Sequence, residues 1–163
     1  MKMEKTLVLI KPEAVQRAIV GKIITRFEDA GLKIIGMKQV WADKEFAKKH
    51  YTKDIAERHG EKIRNQLLDY IIEGPVIAFV LEGANAIENV RKIVGGTEPR
   101  TAPPGTIRGD FAHVSYAYAD AKNIAVKNMI HASADKKDAK HEVKLWFKNN
   151  ELHSYRTIQD FFM

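Results

Sequence analysis

Apolar positions along the chain fall into blocks whose spacing alternates between that of a strand and that of a helix. From Lys5 to Lys11 the interior residues Thr6, Leu7, Val8, Leu9 and Ile10 are all apolar or β-branched, the pattern of a strand buried on both faces. Pro12 ends it. Helical spacing follows over Ala18 to Ala30, in Ile19, Ile23, Ile24 and Phe27, with Gly31 as a C-terminal stop. Leu32 to Ala42 reads as a second strand, carried by Ile34, Ile35, Met37, Val40 and Trp41. Asp43 is placed to cap a helix reaching Tyr51, and a longer amphipathic helix is expected over Ile55 to Ile72, stopped by Gly74-Pro75. Val76 to Leu81 reads as a third strand and Ala84 to Val94 as a helix closing at Gly95-Gly96. Thr97 to Asp110, rich in Pro and Gly, reads as a long ordered loop. A short fourth strand over Asn128 to His131, a helix over Lys136 to Phe147 and an irregular tail through Met163 complete the chain.

This order, β-α-β-(α)-β-α-β, predicts an α+β fold of the ferredoxin-like (βαββαβ) kind: a four-stranded antiparallel sheet covered by helices. A doubly wound parallel sheet would place a Gly-rich turn after the first strand, where this chain has Lys11-Pro12-Glu13. No repeat, low-complexity tract or linker divides the sequence, so residues 1–163 read as a single domain.

Composition narrows the function classes. Hydrophobic residues at 45% and charged residues at 29% exclude a disordered chain. With no cysteine there is neither a disulfide framework nor a thiolate nucleophile or metal site, which fits a reducing cytoplasm. The first apolar run is too short to span a membrane and has no signal-peptide cleavage pattern, so a cytoplasmic protein without a membrane partner is expected. A formal charge of +6 suits polyanionic partners, whether nucleotides or nucleic acid.

The Walker-type phosphate loop, the protein-kinase motifs and the H-E-x-x-H zinc motif are all missing. The loop Gly-Gly-Thr-Glu-Pro-Arg-Thr-Ala-Pro-Pro-Gly-Thr-Ile-Arg-Gly-Asp-Phe, from Gly95 to Phe111, combines stiffening prolines with the donors of Thr97, Arg100, Thr106 and Arg108. A stiff loop that presents guanidinium and hydroxyl groups is suited to a phosphate chain. Among six histidines, His131 stands apart at a strand end, between an apolar run and the small residues Ala132 and Ser133. Glu142, eleven positions later on the inward side of the next helix, is placed to orient that imidazole. Read from spacing alone, His131 is either a hydrogen-bonded core histidine or a nucleophile for phosphoryl transfer.

Taken together, the motifs resemble the nucleoside diphosphate kinase family over nearly the whole chain. The resemblance is carried by the run from Leu9 to Arg17, Gly21-Lys22-Ile23-Ile24, Arg26-Phe27-Glu28, His50-Tyr51, Gly74-Pro75-Val76 and Arg91. It continues in Gly95 to Pro99, Pro104 to Phe111, Asn128-Met129-Ile130-His131-Ala132-Ser133 and Leu145-Trp146-Phe147. It implies transfer of the terminal phosphoryl group of ATP or GTP to a nucleoside diphosphate, by a ping-pong route through a phosphohistidine on His131. Broad base tolerance is implied too, with Mg²⁺ carried in on the nucleotide, and so is a homo-oligomer, hexameric or tetrameric. Glu142 then orients His131, beside Ser133 and the pocket tyrosine Tyr51. Lys11 touches sugar and phosphate, Asn128 the ribose, and Arg91, Thr97 and Arg108 the phosphates.

The chain departs from the family pattern in three places. The stretch between Tyr51 and Gly74 lacks the expected aromatic pair, leaving Ile63, with His59 as alternative, to stack on the base. Residues 112–127 form an insertion before the last strand, read as an extra hairpin or an altered subunit contact. Ala134-Asp135 replaces an Asp-Ser-like pair, so a water-mediated metal contact is lost or passes to Asp135. A nucleic-acid-binding module on the same plan would carry aromatics on the central strands, and Thr6 to Ile10 has none. An inactive nucleotide-binding relative is the other rival, opposed by the intact His131, Glu142, Lys11 and Arg108.

Overall fold

The computed structural model describes residues 3–161; Met1, Lys2 and the last two residues of the expected tail, Phe162 and Met163, lie outside the described residues. The four strands are β1 (Met3–Ile10), β2 (Lys33–Val40), β3 (Val76–Ala84) and β4 (Ile130–Ala132), in the spatial order β2-β3-β1-β4. All three pairings are antiparallel. This is the expected ferredoxin-like sheet. The pairing of β2 with β3, far apart in sequence, is present, with Ile34 opposite Leu81 and a register shift between Ile34 and Gly36.

Continuous hydrophobicity in β1 reflects burial on both sides. Val8 and Ile10 point with Phe79 and Leu81 into a core closed by α2 (Val20–Glu28) and α6 (Ala86–Val94). Leu7 and Leu9 point the other way, into a core shared with α3 (Lys44–His50), α5 (Glu61–Ile71) and α9 (Lys136–Trp146). Phe27 and Phe79 meet edge to face at 5.7 Å in the first, and Trp146 lies against Phe46 at 4.8 Å beside the second. Asp43 caps α3 as expected, accepting from Phe46 N at 2.7 Å.

Several expected elements are divided or changed. Pro12 does more than stop β1: it opens the short helix α1 (Pro12–Gln16), where its missing N–H costs nothing. The single helix expected over Ile55 to Ile72 is two, α4 (Lys53–His59) and α5, broken at Gly60 with φ 91° and ψ 152°. That backbone conformation is open essentially to glycine alone. The Thr97–Asp110 loop contains a 3-10 turn, Pro99–Thr101, and the short helix α7 (Ile107–Phe111), capped by Thr106. The insertion forms neither a hairpin nor any strand. It forms helix α8 (Tyr116–Lys122), capped by Ser115 and ended by Asn123 at φ 53°. The tail also holds two 3-10 turns, Asn149–Glu151 and Ile158–Phe161.

Candidate active site

A cavity of about 640 Å³ opens beside the ends of β1 and β4, and each strand delivers one ionisable side chain to it. Lys11 is the first residue past β1, and His131 sits in the middle of β4, opposite Leu9. The backbone before β4 is sharply bent: Met129 has φ 65°, left-handed for a residue with a side chain. Three hydrogen bonds from two residues brace that bend. Lys11 N donates to Met129 O (2.7 Å), while the Arg108 guanidinium donates to Asn128 O (3.3 Å) and Ile130 O (2.6 Å).

His131 is held through one ring nitrogen. Its Nε2 lies 2.9 Å from Glu142 Oε1, and Ser133 Oγ donates to the other carboxylate oxygen at 2.6 Å. Leu7 N in turn donates to Ser133 Oγ at 3.2 Å, tying the cluster to β1. Burial alone would raise the Glu142 pKa, but the charge and hydrogen bond of His131, with His50 and Ser133, outweigh it and hold it at about 2. An ionised Glu142 requires a proton on Nε2, so in the neutral ring the lone pair is on Nδ1. Among the described residues Nδ1 has no hydrogen-bond partner, and the His131 ring lines the cavity.

His50, one position before the pocket tyrosine, is the residue at this centre that sequence reasoning gave no role. Its ring lies edge to face with His131 at 4.6 Å and with Tyr51 at 4.6 Å, and Trp146 Nε1 donates to its Nδ1 at 3.3 Å. Burial, then the neighbouring His131, push its pKa down to about 3, so His50 is a neutral packing wall. Burial raises the pKa of Tyr51, which stays a phenol.

The candidate phosphate donors lie together. Lys11 Nζ donates to Asn128 Oδ1 at 2.7 Å, and Asn128 Nδ2 donates to Thr97 O at 3.0 Å. Arg108 also donates to Gly95 O at 3.0 Å. With three carbonyls holding it, a five-donor guanidinium retains two N–H groups for a ligand. Burial, then Arg91, push the Arg108 pKa down to about 10, still charged at neutrality. Gly109 lets α7 lie this close, because a Cβ there would collide with the Pro103 carbonyl. Burial first, then Arg108, lower Lys11 to about 7, opposed by Glu13.

Lys11, Tyr51, Ile63, Arg91, Thr97, Arg108, Asn128, His131 and Glu142 all line this one cavity. Ser133 sits behind Glu142 and is fully buried. Asp135 is not in the lining: it caps α9, its Oδ1 accepting from Lys137 N (2.8 Å) and Asp138 N (2.9 Å). Arg100 pairs with Glu98, and Thr106 is spent on its cap, so neither loop donor faces the cavity. Ile63 has apolar company in Ile55 and Leu67 from α4 and α5, and in Ala119, Ala125 and Val126 from the insertion. The two sides meet where Gln66 Nε2 donates to Asn123 Oδ1 at 3.4 Å.

The family model described as nucleoside diphosphate kinase matches residues 4–152. A nucleoside diphosphate kinase of Pyrococcus horikoshii is 49% identical, over 98% of this chain and 94% of that protein. One from Borreliella burgdorferi is 46% identical, over 96% and 94% respectively. Among solved structures, a transition-state mimic of nucleoside-diphosphate kinase from Borrelia burgdorferi with bound vanadate and ADP superposes with a TM-score of 0.95. It is 45% identical and covers 97% of this chain and 95% of that one. An NDP kinase from Pyrobaculum aerophilum superposes at 0.87, 34% identical, over 94% of this chain and 100% of its own.

Proposed function

Because this chain belongs to the nucleoside diphosphate kinase family and moves phosphoryl groups between nucleotides, we propose that it does so through a phosphohistidine on Nδ1 of His131. The observation that carries this reading is the free Nδ1, left facing the cavity because Glu142 holds Nε2. In the first half-reaction, Nδ1 attacks the terminal phosphorus of a nucleoside triphosphate as the bond to the bridging oxygen breaks. The nucleoside diphosphate leaves with that oxygen. In the second, a terminal oxygen of another nucleoside diphosphate attacks the same phosphorus, and the nitrogen–phosphorus electron pair returns to the ring. Two easier steps replace one direct transfer.

The protein's own contribution is position and charge. Glu142 balances the positive charge that grows on the ring as Nδ1 bonds to phosphorus. Lys11, Arg91 and Arg108 face the charge spread over the phosphate oxygens, Thr97 adds a hydroxyl, and Asn128 holds Lys11 while remaining within reach of a ribose. Tyr51 is a wall of the pocket. The family relative that binds vanadate and ADP supports a nucleotide in this cavity. We assign the base to the end walled by Ile63, Ile55 and Leu67 on one side and Ala125 and Val126 on the other. Apolar walls distinguish bases poorly, which favours broad specificity.

Mg²⁺ fits this arrangement as an ion carried by the nucleotide. The Glu142 oxygens are engaged by His131 and Ser133, and Asp135 is engaged at its cap, so phosphate oxygens and water are the natural ligands. Bound there, the ion neutralises charge on the outer phosphates. Initial-rate kinetics with donor and acceptor varied together test the scheme. Parallel double-reciprocal lines are expected; intersecting lines would show a ternary complex and no covalent intermediate.

A further inference from the structure

Tyr70, in the last turn of α5, is 2% exposed and has no part in the scheme above, yet Glu13, Met129, Lys127 and Lys11 all meet on it. Its hydroxyl donates to Glu13 Oε2 at 2.7 Å and accepts from Met129 N at 3.3 Å. Its ring lies under two ammonium groups, Lys127 Nζ at 3.9 Å and Lys11 Nζ at 4.7 Å from the centroid. Met129 is the left-handed residue whose bend aims Asn128 and His131, and the Tyr70 hydroxyl satisfies its amide. Two cations against one aromatic ring are each attracted to it, although they repel each other.

Resting on the phosphohistidine reading, we propose that Tyr70 is a positioning residue that couples Glu13 to Lys11. The hydroxyl keeps Glu13 ionised, and the ring holds Lys11 at the reacting phosphate.

Every charged or titratable group facing Lys11 enters this coupling. Glu13, on α1, is the carboxylate that favours the ammonium. Arg108 from α7 and Lys127 from the segment before β4 oppose it, and neutral His50 on α3 stands near. Asn128 accepts from the ammonium, and Tyr70 on α5 lies beneath it. Burial raises Glu13, and the Tyr70 hydrogen bond and the Lys11 charge offset part of that rise. Burial, then Glu13, keep Tyr70 itself a phenol, so it remains a donor. Without the hydroxyl, Glu13 takes up a proton more readily, Lys11 loses its counter-charge, and its ammonium is lost at lower pH.

The test is the pH dependence of phosphohistidine formation from ATP, under single-turnover conditions, in wild type, Tyr70→Phe, Glu13→Gln and the double variant. Phenylalanine keeps the ring against both lysines, and circular dichroism checks that the variants remain folded. The expected wild-type profile of rate against pH falls on its alkaline side as Lys11 deprotonates. In Tyr70→Phe that limb moves to lower pH by about half a unit or more, and the rate at its plateau drops about 10-fold. Glu13→Gln moves the limb the same way, and adding Tyr70→Phe moves it no further. A rate lowered equally at every pH, with the limb in place, would reduce Tyr70 to a structural support and overturn the proposal. A wild type that forms no phosphohistidine overturns the reading it rests on instead.

Discussion

Replacing Glu142 with glutamine keeps the length of the side chain and removes the charge facing His131 Nε2. The amide can still face the ring with its oxygen and Ser133 with its nitrogen, so orientation survives while the counter-charge is lost. Phosphorylation of His131 should slow about 10- to 100-fold, with ADP affinity measured by calorimetry unchanged. Equal losses in both would show that Glu142 serves only the fold. At this scale the sequence was informative where a polar residue sits against an apolar run: Lys11 after β1 and His131 in β4. His50 gave no such signal, because a histidine at the end of a basic helix looks solvated. Contacts with His131 and Trp146, both far along the chain, make it a wall of the site. Asp135 carries an ambiguous signal. A carboxylate just before a helix is as good a cap as a metal contact, and the cap is what formed.

Helices and loops were harder to read than strands, for reasons visible in particular residues. Ile55 to Ile72 keeps helical spacing through Gly60, and nothing in that spacing reveals a left-handed backbone there. A Cβ at Gly60 would meet no atom within 4 Å, so Gly60→Ala tests backbone conformation alone. It should cost about 1–3 kcal/mol, lowering Tm by about 2–4 °C per kcal/mol. An unchanged Tm would mean that α4 and α5 can join without the break. In the insertion, Tyr116-Ala117-Tyr118-Ala119 alternates like a strand, yet a helix forms there. Ser115 as an N-cap and Asn123 as a left-handed stop were the better guides to α8. That helix places Ala119 in the cavity, among the residues of the end we assign to the base.

At the scale of the whole molecule, the alternation of blocks was enough to give the ferredoxin-like sheet, because β1 must be covered on both faces and the helices supply two covers. The same sheet brings Lys11 and His131 together, since β1 and β4 are neighbours with Leu9 opposite His131. Helix α7 then carries Arg108 against the backbone of β4. Sequence order could not show that these groups converge, but the sheet order does. In the proposed reaction this convergence places Nδ1 of His131 in line with a terminal phosphate. The most direct test is incubation of the protein with γ-labelled ATP, followed by analysis of the bound label. Wild type should carry acid-labile, alkali-stable label that passes to added nucleoside diphosphate, and His131→Ala should carry none. Label that persists in His131→Ala, and still passes to nucleoside diphosphate, would contradict the account.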